Sequence, residues 1–210
     1  MKKYIKKEIE LSGRKLIIET GKMAKQASGS VVVTYGETVL LATATANKEV
    51  AEDRGFFPLS VEYREKYYAS GKIPGGFFKR EARPTEKEIL TSRLTDRPLR
   101  PLFPEGFNNE TRLDITVMSY DDENEPDIFA AFGASFALMS SDIPFNGPIA
   151  SVRVGQIDNK LIMNPTKTQI LESDFDLVLS GNDKSIVMVE GKCEFVDEDT
   201  IITAIQYGHE

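Results

Sequence analysis

Residues 128–139 form a segment that is apolar on nearly every side of the helix it predicts, reading IFAAFGASFALM. Asp127, just before it, is a residue type that caps helix N-termini. A helix without a polar face has to be covered on all sides, and the small residues in this one let its neighbours come close. The segment therefore predicts a central buried helix, with its aromatic side chains in the core rather than around a cofactor.

Segments typical of β-strands lie on both sides of this helix. Before it, the pattern predicts a hairpin turning at Gly36-Glu37-Thr38, then a strand in which Pro58 indicates an edge or a bulge, and an alternating strand, at 31–35, 39–44, 56–63 and 113–120. After it, four further strands are predicted at 149–154, 160–163, 175–180 and 185–190. A closing helix follows residues 197–199, and its inner face is expected to carry Ile201, Ile202 and Ile205.

The breaker cluster Pro144-Phe145-Asn146-Gly147-Pro148 separates the two groups of strands. We therefore expect two lobes, with boundaries 1–145 and 146–210. Strands followed by helices that pack to one side are typical of the α+β class. The predicted fold is α+β, with two βα lobes that have mixed sheets and helices packed on one side.

Composition excludes several classes of protein. The chain has one cysteine, Cys193, and one histidine, His209, which excludes an internal disulfide and argues against a Cys/His zinc site. No apolar segment reaches the ~18–20 residues of a membrane span, and the basic N-terminus lacks the apolar core of a signal peptide. We therefore expect a cytoplasmic location and no membrane contact.

Residues 71–80, reading GKIPGGFFKR, place two adjacent aromatic rings between a Pro-Gly-Gly turn and two cations. The segment is too rich in glycine for a helix or a central strand, so it predicts a loop. Single-stranded nucleic acid suits such a loop, because bases stack on aromatic rings and phosphates attract cations. The alternative is a hydrophobic staple that holds the loop down, which is the more frequent case on sequence alone.

A helix with a basic face follows the loop. Residues 85–88, Thr-Glu-Lys-Glu, predict a capping box that opens the helix, and Pro98 is expected to interrupt it. Three arginines at i, i+4 and i+7 share one face of it, namely Arg93, Arg97 and Arg100. Their charges have to be neutralised either by an external anion or by acids elsewhere in the fold. From the residues alone, these two alternatives are about equally supported.

The charge distribution supports a focused binding surface. The whole chain carries −7, but residues 72–100 hold eight Lys or Arg against four acids, so this segment is +4 and the remainder −11. A basic stripe on an acidic body guides a polyanion to one place, although most charge runs are simply solvated. No phosphate-binding loop, dinucleotide fingerprint or nucleophile elbow occurs, so no catalytic centre is evident from the residues.

Several motifs, in order along essentially the whole chain, resemble the polynucleotide phosphorylase family. They are FFPL at 56–59, IPGGFFKRE at 73–81, DRPLRPLFP at 96–104, PDI at 126–128, GAS at 133–135, IPFNGPI at 143–149 and GHE at 208–210. The match corresponds to the first of that family's two ribonuclease PH-like core domains. It implies a ribonuclease PH-like fold in a longer enzyme.

The resemblance implies an activity as well as a fold. The family consists of processive 3′→5′ exoribonucleases that use inorganic phosphate as co-substrate, require magnesium and release nucleoside diphosphates. It also implies a homotrimeric ring that threads single-stranded RNA through a central channel. In the family the phosphorolytic centre lies on the second core domain, so the magnesium ligands are expected outside this chain.

This sequence departs from the active core domain at two places. The active domain has a serine-rich, phosphate-binding tract before its central helix, whereas this chain has Glu125-Pro126-Asp127. The active domain also has an Asp followed two positions later by a Lys, whereas here Asp176 is followed by Val178. We therefore expect no catalytic residue and no metal ligand in this chain, and a structural role for Asp176.

The resemblance implies that this domain keeps the RNA path. The predicted RNA-binding residues are the channel-constriction loop Phe77, Phe78, Lys79 and Arg80, together with the helix residues Arg93, Arg97 and Arg100. Two alternatives stay open: a self-sufficient phosphorolytic ribonuclease, and a scaffold that serves only ring assembly.

Overall fold

The computed structural model describes residues 3–49, 55–75, 77, 80, 81 and 83–210. Ten strands and four helices lie within these ranges. The strands are β1 (Ile5–Leu11), β2 (Arg14–Thr20), β3 (Gly29–Tyr35), β4 (Thr38–Ala46), β5 (Leu59–Glu65), β6 (Thr111–Ser119), β7 (Ala150–Ile157), β8 (Lys160–Met163), β9 (Phe175–Gly181) and β10 (Ile186–Cys193). The helices are α1 (Glu86–Leu99), α2 (Asp127–Met139), α3 (Lys167–Glu172) and α4 (Glu198–His209).

The first sheet has six strands in the order β1-β2-β3-β4-β6-β5. Its neighbours are antiparallel except at one edge, where β5 runs parallel to β6 and α1 makes the crossover between them. Of the two interpretations of Pro58, an edge or a bulge, the structure shows the edge: β5 begins one residue after Pro58 and is the last strand of the sheet. Strands β1 and β2 were not predicted; β1 is exposed along nearly its whole length, so it has too few apolar residues to stand out from its sequence.

Helix α2 is the centre of the molecule, as its apolar sequence predicts. Eleven of its thirteen residues are buried, and it packs against β3, β4 and β7, so it lies between the two sheets. Gly133 allows a close approach to β4, because a Cβ there would lie 3.1 Å from Ala42 Cβ. The predicted cap is wrong by one residue: Pro126 is the N-cap, and Asp127 is the first helical residue.

Helix α1 begins as predicted. Thr85 Oγ1 accepts a hydrogen bond from the Glu88 amide at 3.2 Å, and Glu88 Oε2 accepts one from the Thr85 amide at 2.6 Å, which completes the capping box. The helix does not stop before Pro98 but includes it and ends at Leu99. So close to the C-terminus a proline removes one amide donor of the last turn and leaves the rest of the helix intact.

The second sheet is antiparallel, with four strands in the order β10-β9-β7-β8. Helix α4 covers one face through Ala204, which is fully buried, and through Ile201 and Ile205, which pack against the same cluster. The expectation that Ile202 also faces inward is wrong, since 52% of its surface is exposed. Within the described residues, no helix is long and apolar enough to cross a membrane.

Candidate nucleic-acid interface

The predicted loop starts from a rigid base. After β5 the chain makes a 3-10 turn, Tyr67–Ser70, which ends at Gly71 in the left-handed conformation with a φ of 65°. The Tyr120 amide donates to the Ala69 carbonyl at 2.9 Å, and the Lys72 amide donates to the Tyr67 carbonyl at 2.9 Å. The turn is therefore fixed to the end of β6, and the loop leaves the body of the domain at a defined point.

Glu81 brings the other end of the loop back to this turn. Its Oε1 accepts a hydrogen bond from the Tyr67 amide at 2.6 Å, and its Oε2 lies 3.0 Å from Lys66 Nζ. The backbone hydrogen bond, followed by the one from Lys66, lowers the pKa of the Glu81 carboxyl below its usual value. The carboxylate is therefore ionised at neutral pH and closes the base of the loop.

The structure places one predicted aromatic and one predicted cation in solvent on this loop. Phe77 is 94% exposed and Arg80 is exposed, and Ile73 between the turn and Phe77 is 89% exposed. The predicted RNA contacts Phe78 and Lys79 lie outside the described residues. Exposed apolar side chains grouped on one loop are a recognised mark of a binding surface.

The three arginines of α1 differ in how their charge is used. Arg93 is exposed and makes no hydrogen bond or ion pair with the residues that the structure describes. Arg97 pairs with Glu190 of β10 at 2.8 Å, and both side chains are more than half exposed. Arg93 is thus the most available of the three, and Arg97 is available at the cost of a surface ion pair.

Arg100 has all three guanidinium nitrogens occupied by protein. Nε and Nη2 donate to the Asp96 carboxylate, Nη1 donates to the Phe57 carbonyl at 2.9 Å, and Nη2 also donates to the Leu59 carbonyl at 3.1 Å. Its guanidinium also lies 5.8 Å from the centre of the Phe57 ring. This geometry ties the C-terminus of α1 to the Phe57 and Leu59 carbonyls at the start of β5. The acid that neutralises Arg100 is Asp96 of the same helix, rather than an acid elsewhere in the fold.

The arginine face of α1 forms one wall of an open cleft of about 1220 Å³. The opposite wall is formed by β10, and the floor by charged residues of α2, β7 and β9. The floor residues are Asp127, Arg153 and Asp176. The sequence prediction missed Arg153, although an arginine inside the otherwise apolar and small-residue strand ASVRVGQI was a visible signal.

Arg153 joins two carboxylates on the floor of the cleft. Its Nη1 and Nη2 donate to the two oxygens of Asp127 at 3.2 and 2.9 Å, and its Nε lies 2.8 Å from Asp176 Oδ1. The last contact is an ion pair rather than a hydrogen bond, because the N–H direction is misaligned with the oxygen. The guanidinium therefore links the N-terminus of α2 to two strands of the second sheet.

Burial and pairing oppose each other in this cluster. Burial opposes the charge of Arg153, but Asp127 and Asp176 outweigh it and raise the pKa of the guanidinium. For Asp176, burial outweighs the attraction of Arg153 and raises the pKa of the carboxyl above its usual value. Arg153 gives two aligned hydrogen bonds to Asp127 and a misaligned contact to Asp176.

The N-terminus of α2 is occupied by the chain's own carboxylates. Asp127 Oδ1 accepts a hydrogen bond from the Ile128 amide at 2.8 Å, and Glu125 binds Lys87 Nζ at 2.7 Å and the Tyr120 hydroxyl at 2.8 Å. An external anion at this helix end would meet two carboxylates. Val178 adds no charge to the cleft wall, and the described residues hold no group of three or more acids, histidines or cysteines suited to a metal ion.

A six-stranded and a four-stranded sheet around a buried helix define a ribonuclease PH-like core domain. Models of the 3′ exoribonuclease family match the chain in two consecutive parts, domain 1 at residues 12–144 and domain 2 at 147–210. The chain therefore belongs to the 3′ exoribonuclease family.

Two curated relatives match nearly the whole chain. It is 55% identical over 207 residues to the polyribonucleotide nucleotidyltransferase of Acidiphilium cryptum, which covers 99% of the chain and 29% of that relative. It is 52% identical over 210 residues to the polyribonucleotide nucleotidyltransferase of Pelagibacter ubique, which covers 100% of the chain and 30% of that relative. The chain thus spans less than a third of the length of these relatives.

Two solved structures share the fold at low sequence identity. One is a chain of the Archaeoglobus fulgidus exosome with RNA bound to the active site, with a TM-score of 0.73 and 19% identity over 93% of this chain and 84% of that one. The other is rice Rrp46, with a TM-score of 0.72 and 14% identity over 97% of this chain and 87% of that one. The ribonuclease PH-like fold expected from the sequence is confirmed.

Proposed function

We propose that this chain is the RNA-channel core domain of a phosphate-dependent, processive 3′→5′ exoribonuclease whose catalytic centre lies mainly on a second core domain. The identity to polyribonucleotide nucleotidyltransferases over nearly the whole chain supports the reaction class. The share of their length that it spans supports a role as one domain of a longer enzyme. A homotrimeric ring, a cytoplasmic location and a role in RNA degradation belong to the same proposal.

The observation that carries the proposal is the presentation of Phe77. Its ring is 94% exposed on a loop whose two ends are held together by Glu81, and Arg80 is exposed on the same loop. A base can stack on such a ring whatever its identity, and the neighbouring cation attracts the phosphate backbone. Tolerance of sequence is what a processive exoribonuclease needs, since it holds any RNA and moves it by one nucleotide in each cycle.

The floor of the cleft supports the view that this domain does not catalyse phosphorolysis. Arg153 is held between Asp127 and Asp176, so the two carboxylates do not form a donor set for magnesium. Inorganic phosphate would meet Glu125 and Asp127 at the N-terminus of α2. Magnesium and phosphate are therefore assigned to the second core domain.

The test of the proposal is the double substitution Phe77→Ala with Phe78→Ala in the full-length enzyme. Stacking contributes ~1–3 kcal/mol per base, so the loss of a stacked base should weaken RNA binding by about 5- to 150-fold and lower processivity. Binding is measured by fluorescence anisotropy of a labelled oligo(A), and processivity by the length distribution of degradation products. Phe195→Ala is the matched control, because Phe195 is a fully exposed ring in the segment after β10 and is not part of the loop.

Two outcomes would favour the alternatives. Unchanged affinity and processivity in the double variant would favour a scaffold that only assembles the ring. Robust release of nucleoside diphosphates by the isolated 210-residue chain, given poly(A), phosphate and magnesium, would favour a self-sufficient phosphorolytic ribonuclease.

A further inference from the structure

We propose that Glu81 is a positioning residue that holds the Phe77 loop in its RNA-binding arrangement. The inference rests on the proposed function, because it assigns to Glu81 the task of presenting Phe77 to the strand. Glu81 itself is an acid beside a basic loop, and its charge repels a phosphate backbone. A direct role in RNA binding is therefore the opposite of what its chemistry offers.

The near end of the loop belongs to the rigid body of the domain. The Tyr67–Ser70 turn is held to β6 by the hydrogen bond from the Tyr120 amide to the Ala69 carbonyl. The left-handed Gly71 then ends the turn. Tyr67 is thus a fixed point to which a returning segment can be attached.

Glu81 makes this attachment from the far end of the loop. It lies fourteen positions after Tyr67 and reaches that residue's amide at 2.6 Å, with Lys66 Nζ at 3.0 Å on the other carboxylate oxygen. The next element, α1, begins only at Glu86. Hydrogen bonds to an ionised carboxylate are the stronger kind, so the contact can fix a loop end that no helix or strand supports.

Glu81 and Phe77 are close along the chain. Four positions separate the ring from the carboxylate, and both lie on the segment that Glu81 closes. If the closure is lost, the loop has to be ordered when RNA binds, and that ordering reduces affinity. Removing Glu81 should therefore weaken RNA binding by about 2- to 10-fold.

The experiment compares Glu81→Ala and Glu81→Gln in the full-length enzyme, with binding measured by anisotropy of a labelled oligo(A). Glutamine keeps an oxygen that can accept from the Tyr67 amide, so Glu81→Gln should retain most of the affinity that Glu81→Ala loses. Glu105→Ala, which removes the same charge from an exposed position elsewhere, is the control. If Glu81 acted only through its charge, Glu81→Ala would have the opposite effect on RNA affinity, because the loss of an acid near the loop would tighten binding.

A double-substitution cycle shows whether Glu81 acts through Phe77. In a Phe77→Ala background, Glu81→Ala should cause no further loss of affinity, whereas independent effects would multiply. Hydrogen exchange of the Tyr67 amide gives a readout without RNA: it should exchange faster in Glu81→Ala than in Glu105→Ala.

The possible failures are distinguishable. If Phe77→Ala leaves RNA affinity unchanged, the proposed function of the loop fails, and exchange at Tyr67 still reports the closure. If Phe77→Ala weakens binding but Glu81→Ala leaves it unchanged or tightens it, the positioning role is overturned and the proposed function stands.

Discussion

The Phe77 loop and the floor of the α1 cleft both contain cations, yet they use them in opposite ways. On the loop, Arg80 is exposed and makes no ion pair with the part of the chain that the structure describes. On the cleft floor, Arg153 is buried and engaged by two carboxylates of the same chain. The difference teaches that the sign of a charge does not predict an external ligand, whereas the absence or presence of internal partners does.

The three arginines on one face of α1 show the same contrast, since they differ in how many internal partners they have. Arg93 has no ion pair among the described residues, Arg97 shares an exposed pair with Glu190, and Arg100 has every nitrogen occupied. Surface pairs such as Arg97–Glu190 contribute only about 0–1 kcal/mol and can exchange with an external anion. The availability of the guanidinium group for RNA therefore falls from Arg93 to Arg100, although the spacing of the three arginines places them on the same face.

The largest effect expected from this comparison is on stability, at the cleft floor. Arg153→Ala removes the cation between Asp127 and Asp176 and leaves two carboxylates packed together without compensation. Loss of one partner of a buried ion pair costs about 3–5 kcal/mol. Urea unfolding of the chain, followed by far-UV circular dichroism, measures the change.

Asp176→Asn is the control for that prediction, and its expected result differs in sign. Because the pKa of Asp176 is raised in the folded state, its ionisation costs stability as pH rises from the ordinary aspartate pKa through the raised value. At neutral pH the asparagine variant should therefore be at least as stable as the parent, and the difference should shrink toward acid. A loss as large as that of Arg153→Ala would show that the Arg153–Asp176 contact is strongly stabilising.

Much of the fold could be predicted from local sequence because the signals were local. The capping box at Thr85 and Glu88 depends on four consecutive residues, and the all-apolar composition of α2 requires burial whatever surrounds it. Strand β1 and the second capping box, at Thr166 and Gln169, were missed because one has a weak apolar pattern and the other opens a helix of six residues.

The site could be predicted only in part, for a physical reason. The glycine-rich segment predicts a loop from local composition, and the exposure of Phe77 decides against the hydrophobic staple that the sequence left open. Asp96, which neutralises Arg100, lies only four positions away. The carbonyls that hold the same guanidinium lie 43 and 41 positions away, and the Asp127 partner of Arg153 lies 26 positions away. Such pairing depends on the tertiary fold, so spacing along the helix could place the arginines on one face but could not show which were already neutralised.

The second prediction sharpens the contrast within α1. Arg100→Ala removes two hydrogen bonds to the Asp96 carboxylate within α1 and two that tie the end of the helix to the Phe57 and Leu59 carbonyls. Because the side chain is 41% exposed, we expect a loss of about 1–2 kcal/mol. Arg93→Ala should change stability by less than about 0.5 kcal/mol but weaken RNA binding. Thermal unfolding and oligo(A) anisotropy on both variants give the comparison.

The reverse pattern would contradict this assignment. If Arg100→Ala weakened RNA binding and left stability unchanged, Arg100 would be a direct RNA contact, and the hydrogen bonds to Asp96 and the β5 carbonyls would be dispensable. Arg97→Ala, with its exposed pair to Glu190, should fall between the other two variants.

The smallest effect expected is on the salt dependence of RNA binding, at Arg80. If Arg80 contacts one phosphate, its removal should flatten the slope of log affinity against log salt by ~0.7, the value for one contact with a single strand. Oligo(A) binding is measured between 50 and 200 mM salt, roughly the range in which counterion release dominates. Arg112→Ala is the matched control, because Arg112 is an exposed arginine that is already paired with Glu62 and Asp114. An equal slope in both variants would mean that Arg80 is neutralised by protein. The loop cation would then resemble Arg153 on the cleft floor, whose charge is already paired within the chain.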